Sequence, residues 1–195
     1  MVKTETKLKS LLVSNIERIF ALDGQRRLFS LRHSDVDYEE ADDHELTRCY
    51  QLWEDPMYLF DFYDANPQDL PQNSYYGKVS KEDFAQRTYE QAQRIRQAVD
   101  QVIADPMLDR LSELFQPLRD DHEHKLLTKV KLGGWLRLYG VRMRTDQFFI
   151  VGGAIKLNHL MKERDHLERE LDRMMVARQD LSKLIRAGEL FTLVV

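Results

Sequence analysis

From Ser80 onward the hydrophobic positions fall three or four apart. Phe84, Thr88, Ala92, Ile95, Val99 and Val102 therefore line one face of a helix. Ser80-Lys81-Glu82-Asp83 supplies its capping start, and Asp105-Pro106 its stop. MLDRLSELFQPL predicts a second, shorter helix with Leu108, Leu111, Phe115 and Leu118 inward. The period then changes. KLLTKVKL, closed by Gly133-Gly134, reads as a strand, and Trp135 to Leu157 reads as two more joined near Arg144-Thr145-Asp146-Gln147. The helical period returns over Asn158 to Ala187, with Leu160, Leu167, Leu171, Met174, Leu181 and Ile185 at core spacing. Gly188 is its stop, and ELFTLVV is a candidate edge strand.

The front half is less regular. Ile19 to His33 reads as a hairpin turning at Asp23-Gly24, because Asp and Gly tolerate the positive φ of a tight turn. Leu8 to Arg18 fits either a short helix or a first strand. SDVDYEEADDHE is an acidic connection. An aromatic stretch follows, with Trp53, Tyr58, Phe60, Phe62 and Tyr63 suited to core packing and a break at Asp55-Pro56. NPQDLPQNSYYG is a loop. Local pairing makes a meander of the three later strands. The expected fold is α+β: a small antiparallel sheet packed against a helical hairpin and a long C-terminal helix. Residues 1–78 are an acidic, aromatic-rich extension with a β-hairpin, and residues 79–195 are the core.

Composition adds bounds. The chain has 195 residues, 43% hydrophobic and 32% charged, enough for one domain with a real core. No apolar run approaches the roughly 18 residues of a spanning helix. The N-terminus lacks the pattern of a signal peptide, and Cys49 stands alone. A cytoplasmic protein without membrane contact is expected. Charge is unevenly spread. Residues 121–195 hold 14 Lys+Arg against 10 Asp+Glu, a balance of +4 inside a chain of -4. Residues 35–69 hold twelve acidic side chains and one basic, Arg48, whereas residues 125–164 hold nine basic and two acidic. That distribution permits a polyanionic partner; it also fits two solvated surfaces of opposite sign.

Alternation places Lys125, Leu127, Lys129 and Lys131 on one side of the first strand. Trp135, Arg137, Tyr139, Val141 and Met143 share a side of the second, and Phe148, Ile150, Gly152, Ala154 and Lys156 share a side of the third. In a suitable register Lys129, Lys131, Arg137, Tyr139 and Lys156 converge on one patch. Guanidinium and ammonium groups there would neutralise a phosphodiester, and a tyrosine would stack on a base or transfer a proton. Gly152-Gly153 would let a backbone or base approach, or mark a bulge.

KLLTKVKL, then WLRLYGVR, then FFIVGGAIKLNHLMKERDHLERELDRM resembles the C-terminal part of the RelE/HigB-type toxin family. The likeness spans roughly residues 80–187 and is sharpest over 125–175. It implies a helical hairpin on a small antiparallel sheet, metal-independent cleavage of mRNA, often on the ribosome, and neutralisation by a cognate antitoxin, commonly a helix-turn-helix protein. By this resemblance Arg137, Tyr139 and Lys156 would be catalytic, and the basic end of the first strand falls on Lys129 or Lys131; Lys129, Lys131, Arg142 and Arg144 are the candidate RNA-binding residues. No cofactor or metal is implied. The single Lys156 after Ile155 departs from the doubled lysine usual in the family.

His122 and His124 have metal-like spacing but sit in a polar tract that more often is solvated. His159 and His166 lie two helical turns apart, and His159 could donate a proton beside Lys156. Asp35 to Asp43 form a solvated loop or an acidic cover, and Cys49 is expected to be buried. A non-enzymatic binding protein of phage or defence type is the alternative, with Trp53, Tyr58 and Phe62 as its protein interface. RNA binding without cleavage is a third reading.

Overall fold

The computed structural model describes residues 15–70, 77–105, 110–118, 127–143, 147–157 and 164–195. The hairpin forms as β1 (Ile16–Ala21) and β2 (Leu28–His33). Its turn is held by Asp23, whose carboxylate accepts from the backbone of Gln25, Arg27 and Leu28 at 2.6–3.0 Å. The positive φ of this turn falls on Arg26, at 55°, rather than on Gly24. Carboxylate bonds to three N–H groups stabilise that unfavourable conformation.

The aromatic stretch becomes two helices, α1 (Glu45–Glu54) and α2 (Pro56–Ala65), broken at Asp55, which caps α2 by accepting from Met57 N at 2.9 Å. Helix α3 (Lys81–Ala104) starts at Ser80, whose hydroxyl accepts from Asp83 N at 3.1 Å, and buries all six stripe residues. The expected second helix of a hairpin is reduced to one turn, α4 (Leu111–Leu114), followed by the two-residue strand β3 (Gln116–Pro117). The helices packed beside α3 are instead α1 and α2.

Strands β4 (Leu127–Val130), β5 (Leu136–Met143) and β6 (Gln147–Ile155) form the expected antiparallel meander. The sheet is larger than the meander. Its order is β1-β2-β6-β5-β4-β3, with β2 parallel to β6 over Leu28–Ser30 and Phe148–Ile150. The N-terminal hairpin thus extends the same sheet. Helix α5 (Asp165–Ala187) ends at Gly188, φ 73°, as expected of a left-handed C-cap. After a turn of 3-10 helix the tail bonds β1 along its edge, Ile19 N to Leu193 O at 2.9 Å and Val195 N to Ile19 O at 3.0 Å.

The result is three layers. Helices α1, α2 and α3 cover one face through Trp53, Phe84, Trp135, Leu136, Leu138 and Ile150. Helix α5 covers the other, with Leu167, Leu171, Met174, Ala177 and Leu181 on Tyr139, Val141, Phe149 and Val151. Strands covered on both faces need apolar residues at nearly every position, which β5 and β6 have.

Candidate functional site: a polar crevice where the sheet splays

The ladder between β2 and β6 stops at Ser30 and Ile150, although both strands continue. A register shift after Tyr139 leaves Val151 as an extra residue in β6. Past this point side chains fill the gap between the strands. His33, 2% exposed, holds Val151 O with Nε2 at 3.0 Å, so Nε2 carries the proton. Burial keeps this imidazole neutral by lowering its pKa.

Two carboxylates enter the gap from opposite layers. Glu45, in the first turn of α1, is fully buried. It accepts from Tyr38 Oη at 2.7 Å and from both Nε and Nη2 of Arg48, at 3.0 and 2.7 Å. This bidentate pair at a helix N-terminus compensates the buried charge. Glu170 reaches in from α5, 8% exposed. Its Oε1 accepts from Arg173 Nη1 at 2.7 Å, whereas Oε2 is buried with no hydrogen-bond partner among the described residues. Burial pushes the Glu170 carboxyl up to about 7; nearby Glu45 adds to the rise, while Arg173 and Arg48 oppose it.

Gly152 is the floor of this arrangement. A methyl group there would lie 2.2 Å from Glu170 Oε2 and 3.5 Å from Glu45 Oε2, so both oxygens converge over it. Gly153 makes room on the opposite face for Trp53 and Cys49 Sγ, at 2.7 and 2.9 Å from where its Cβ would be. The glycine pair therefore seats groups of the chain itself, not an incoming base.

A cleft of about 610 Å³ opens beside Glu170, between α1–α2 and α5. Arg48, Arg164, Arg169, Tyr58, Phe62 and His166 stand on its walls. Asp69 orients Arg164 through a two-pronged ion pair, with Nε to Oδ2 at 2.7 Å. His166 packs edge-on against Phe62 at 5.3 Å and binds Ile155 O through Nε2 at 3.0 Å. Arg169 also borders a smaller recess of about 250 Å³ with His33, Asp35, Asp172 and Arg173.

The sequence-predicted patch has a different fate. Register does bring part of it together: Lys129 pairs with Tyr139, Tyr139 with Gly152, and Arg137 with Ala154. That face is not open, however. Tyr139 is 1% exposed and Arg137 6%. Helix α5 packs on the strands that carry them. Arg137 Nη1 is spent on Gly134 O and Leu136 O, at 2.9 and 2.7 Å. Lys129 Nζ bonds Leu118 O at 3.3 Å, Arg142 covers the Phe148 ring at 5.5 Å, and Lys131 is exposed past the end of β4. Lys156 follows β6, half-buried, with its backbone on Trp135 O. None of Arg137, Tyr139 or Lys156 lines the cleft. Trp53, expected at a protein interface, is 2% exposed and belongs to the core, whereas Tyr58 and Phe62 face the cleft half-buried. Cys49 is buried, as expected. Arg144, His122, His124 and His159 lie outside the described residues. Among the described residues no group of three metal-type ligands forms, and no helix is long and apolar enough to cross a membrane.

The sequence reading passed over Glu45 and Glu170, although each leaves a trace. Glu170 sits three residues after Leu167 and four before Met174, inside the apolar stripe of α5, and Glu45 precedes Cys49 and Trp53 at spacings of four. A carboxylate inside a core stripe is the signal. No family model matches the chain, and no curated protein or solved structure matches it significantly.

Proposed function

We propose that the protein is a toxin-like, metal-independent endoribonuclease, neutralised by a cognate antitoxin, with its RNA strand lying in the cleft between α1–α2 and α5. The observation that carries this reading is Glu170, a buried carboxyl with a pKa near 7 and one unpartnered oxygen, at the wall of a cleft bearing three arginines. A carboxylate tuned to neutral pH suits general-base work. Oε2 is buried over Gly152, so Glu170 must turn toward the cleft for a ribose 2′-hydroxyl to supply the donor it lacks; that hydroxyl distinguishes RNA from DNA. Arg169 pairs with the phosphate, Arg48 adds its charge while it stays on Glu45, and Tyr58 offers a ring face to a base. Glu170 accepts the 2′ proton, O2′ attacks phosphorus, and the P–O5′ bond breaks. The products are a 2′,3′-cyclic phosphate and a 5′-hydroxyl protonated by His166. The resemblance over residues 80–187 implies metal-independent RNA cleavage as well, but through Arg137, Tyr139 and Lys156, which do not line the cleft.

The test is incubation of the pure protein with single-stranded RNA in chelator, with and without ribosomes. Cyclic-phosphate ends are expected, with a loss of about 100-fold or more in Glu170→Gln. RNA that stays intact under both conditions would overturn the proposal.

A further inference from the structure

On the far side of the helical layer, α2 and α3 leave a groove of about 380 Å³ lined by Pro56, Leu59, Phe60, Ala85, Gln86 and Tyr89. Tyr89 is 45% exposed, and Met57, which follows the lining residue Pro56 in α2, is 67% exposed. Leu59 is buried and Phe60 half-buried under Lys81, so Tyr89 is the open ring of the groove, and an open aromatic above apolar side chains marks a contact surface more than a solvated one. The surroundings are acidic. Residues 54–65 carry Glu54, Asp55, Asp61 and Asp64 with no basic side chain, and the groove end of α3, residues 81–90, adds Glu82, Asp83 and Glu90 against Lys81 and Arg87, while Arg94, Arg96 and Asp100 follow further along the helix. Arg96 pairs with Glu54 and Lys81 with Asp64; Asp55, Asp61, Glu82, Asp83 and Glu90 are all exposed.

We propose that this groove docks an amphipathic helix bearing lysine or arginine on its flanks, supplied by a separate protein. The acidic rim repels RNA and anionic membranes and attracts a cationic segment. The groove runs between two helices and offers no unpaired strand edge, so a helix seated by its apolar ridge fits it. The site is remote in sequence from Glu170 and Arg169 and stands whether or not the cleft cleaves RNA.

The test uses two synthetic helical peptides with the same leucine stripe, one flanked by lysine and one by glutamate, titrated by fluorescence anisotropy. The lysine peptide is expected to bind the full chain and to weaken by about tenfold or more in Tyr89→Glu and in Met57→Glu. Both positions are exposed, and circular dichroism checks that the fold persists. Arg169→Ala leaves peptide binding unchanged, and the glutamate peptide binds about tenfold more weakly or worse. Equal binding of both peptides, no binding of either, or no loss in the two groove variants overturns the proposal. So does self-association in sedimentation that the same two substitutions abolish, since the groove would then hold a second copy of the chain.

Discussion

At the scale of single residues the structure turns on Glu170. Its carboxyl is raised from 4.5 to about 7, chiefly by burial. A raised carboxylate pKa favours the folded state while the group is neutral. This contribution is complete below pH 4.5 and is lost as pH rises through 7. The loss is on the order of 3 kcal/mol. Glu170→Gln keeps the neutral shape, so its stability in urea is expected to exceed that of the parent at pH 8 and to match it near pH 4. An unchanged pH profile in the variant would show that Glu170 does not titrate in this window. Gly152 gives a second prediction. Gly152→Ala places a methyl against Glu170 Oε2, so it destabilises by about 1–3 kcal/mol and by less in a Glu170→Ala background, measured as a double-mutant cycle. Glycine in a strand was legible as a place of close approach; what approaches was not, because that depends on a helix residue eighteen positions later.

At the scale of elements the strands explain which expectations held. The meander, the α3 stripe with its Ser80 cap, the hairpin at Asp23 and the Gly188 stop all rest on local periodicity or turn chemistry. Register even brought Lys129, Arg137 and Tyr139 onto one face. The covering of that face was not legible. Helix α5 has an apolar stripe that needs a surface, and periodicity shows the stripe without naming the surface. Two substitutions test this packing. Tyr139→Phe removes a buried hydroxyl without a partner among the described residues. It is expected to be neutral or stabilising by up to about 1 kcal/mol. Trp53→Ala is expected to cost about 3–5 kcal/mol of folding stability in chemical denaturation. A Trp53→Ala protein as stable as the parent would return Trp53 to the surface role first read from the sequence.

At the scale of the whole molecule the acidic front and basic rear halves do not face solvent as two separate patches. They meet: β2 pairs with β6, Glu45 and Glu170 converge over Gly152, and Asp69 holds Arg164. The contrast in charge along the chain becomes a cleft in which arginines from both halves stand beside one carboxyl of neutral pKa. Non-local pairing of this kind is absent from any window of sequence, which is why the cleft was missed; of its walls only α5 was foreseen as a helix, while α1 and α2 were read as an aromatic stretch broken at Asp55-Pro56. The most direct test is a nuclear magnetic resonance titration of arginine Nε–H signals with a non-cleavable 2′-O-methyl RNA strand. Shifts at Arg48, Arg164 and Arg169 with Arg137 unmoved are the predicted result; shifts confined to Arg137 and its neighbours, or none at the three cleft arginines, would contradict it.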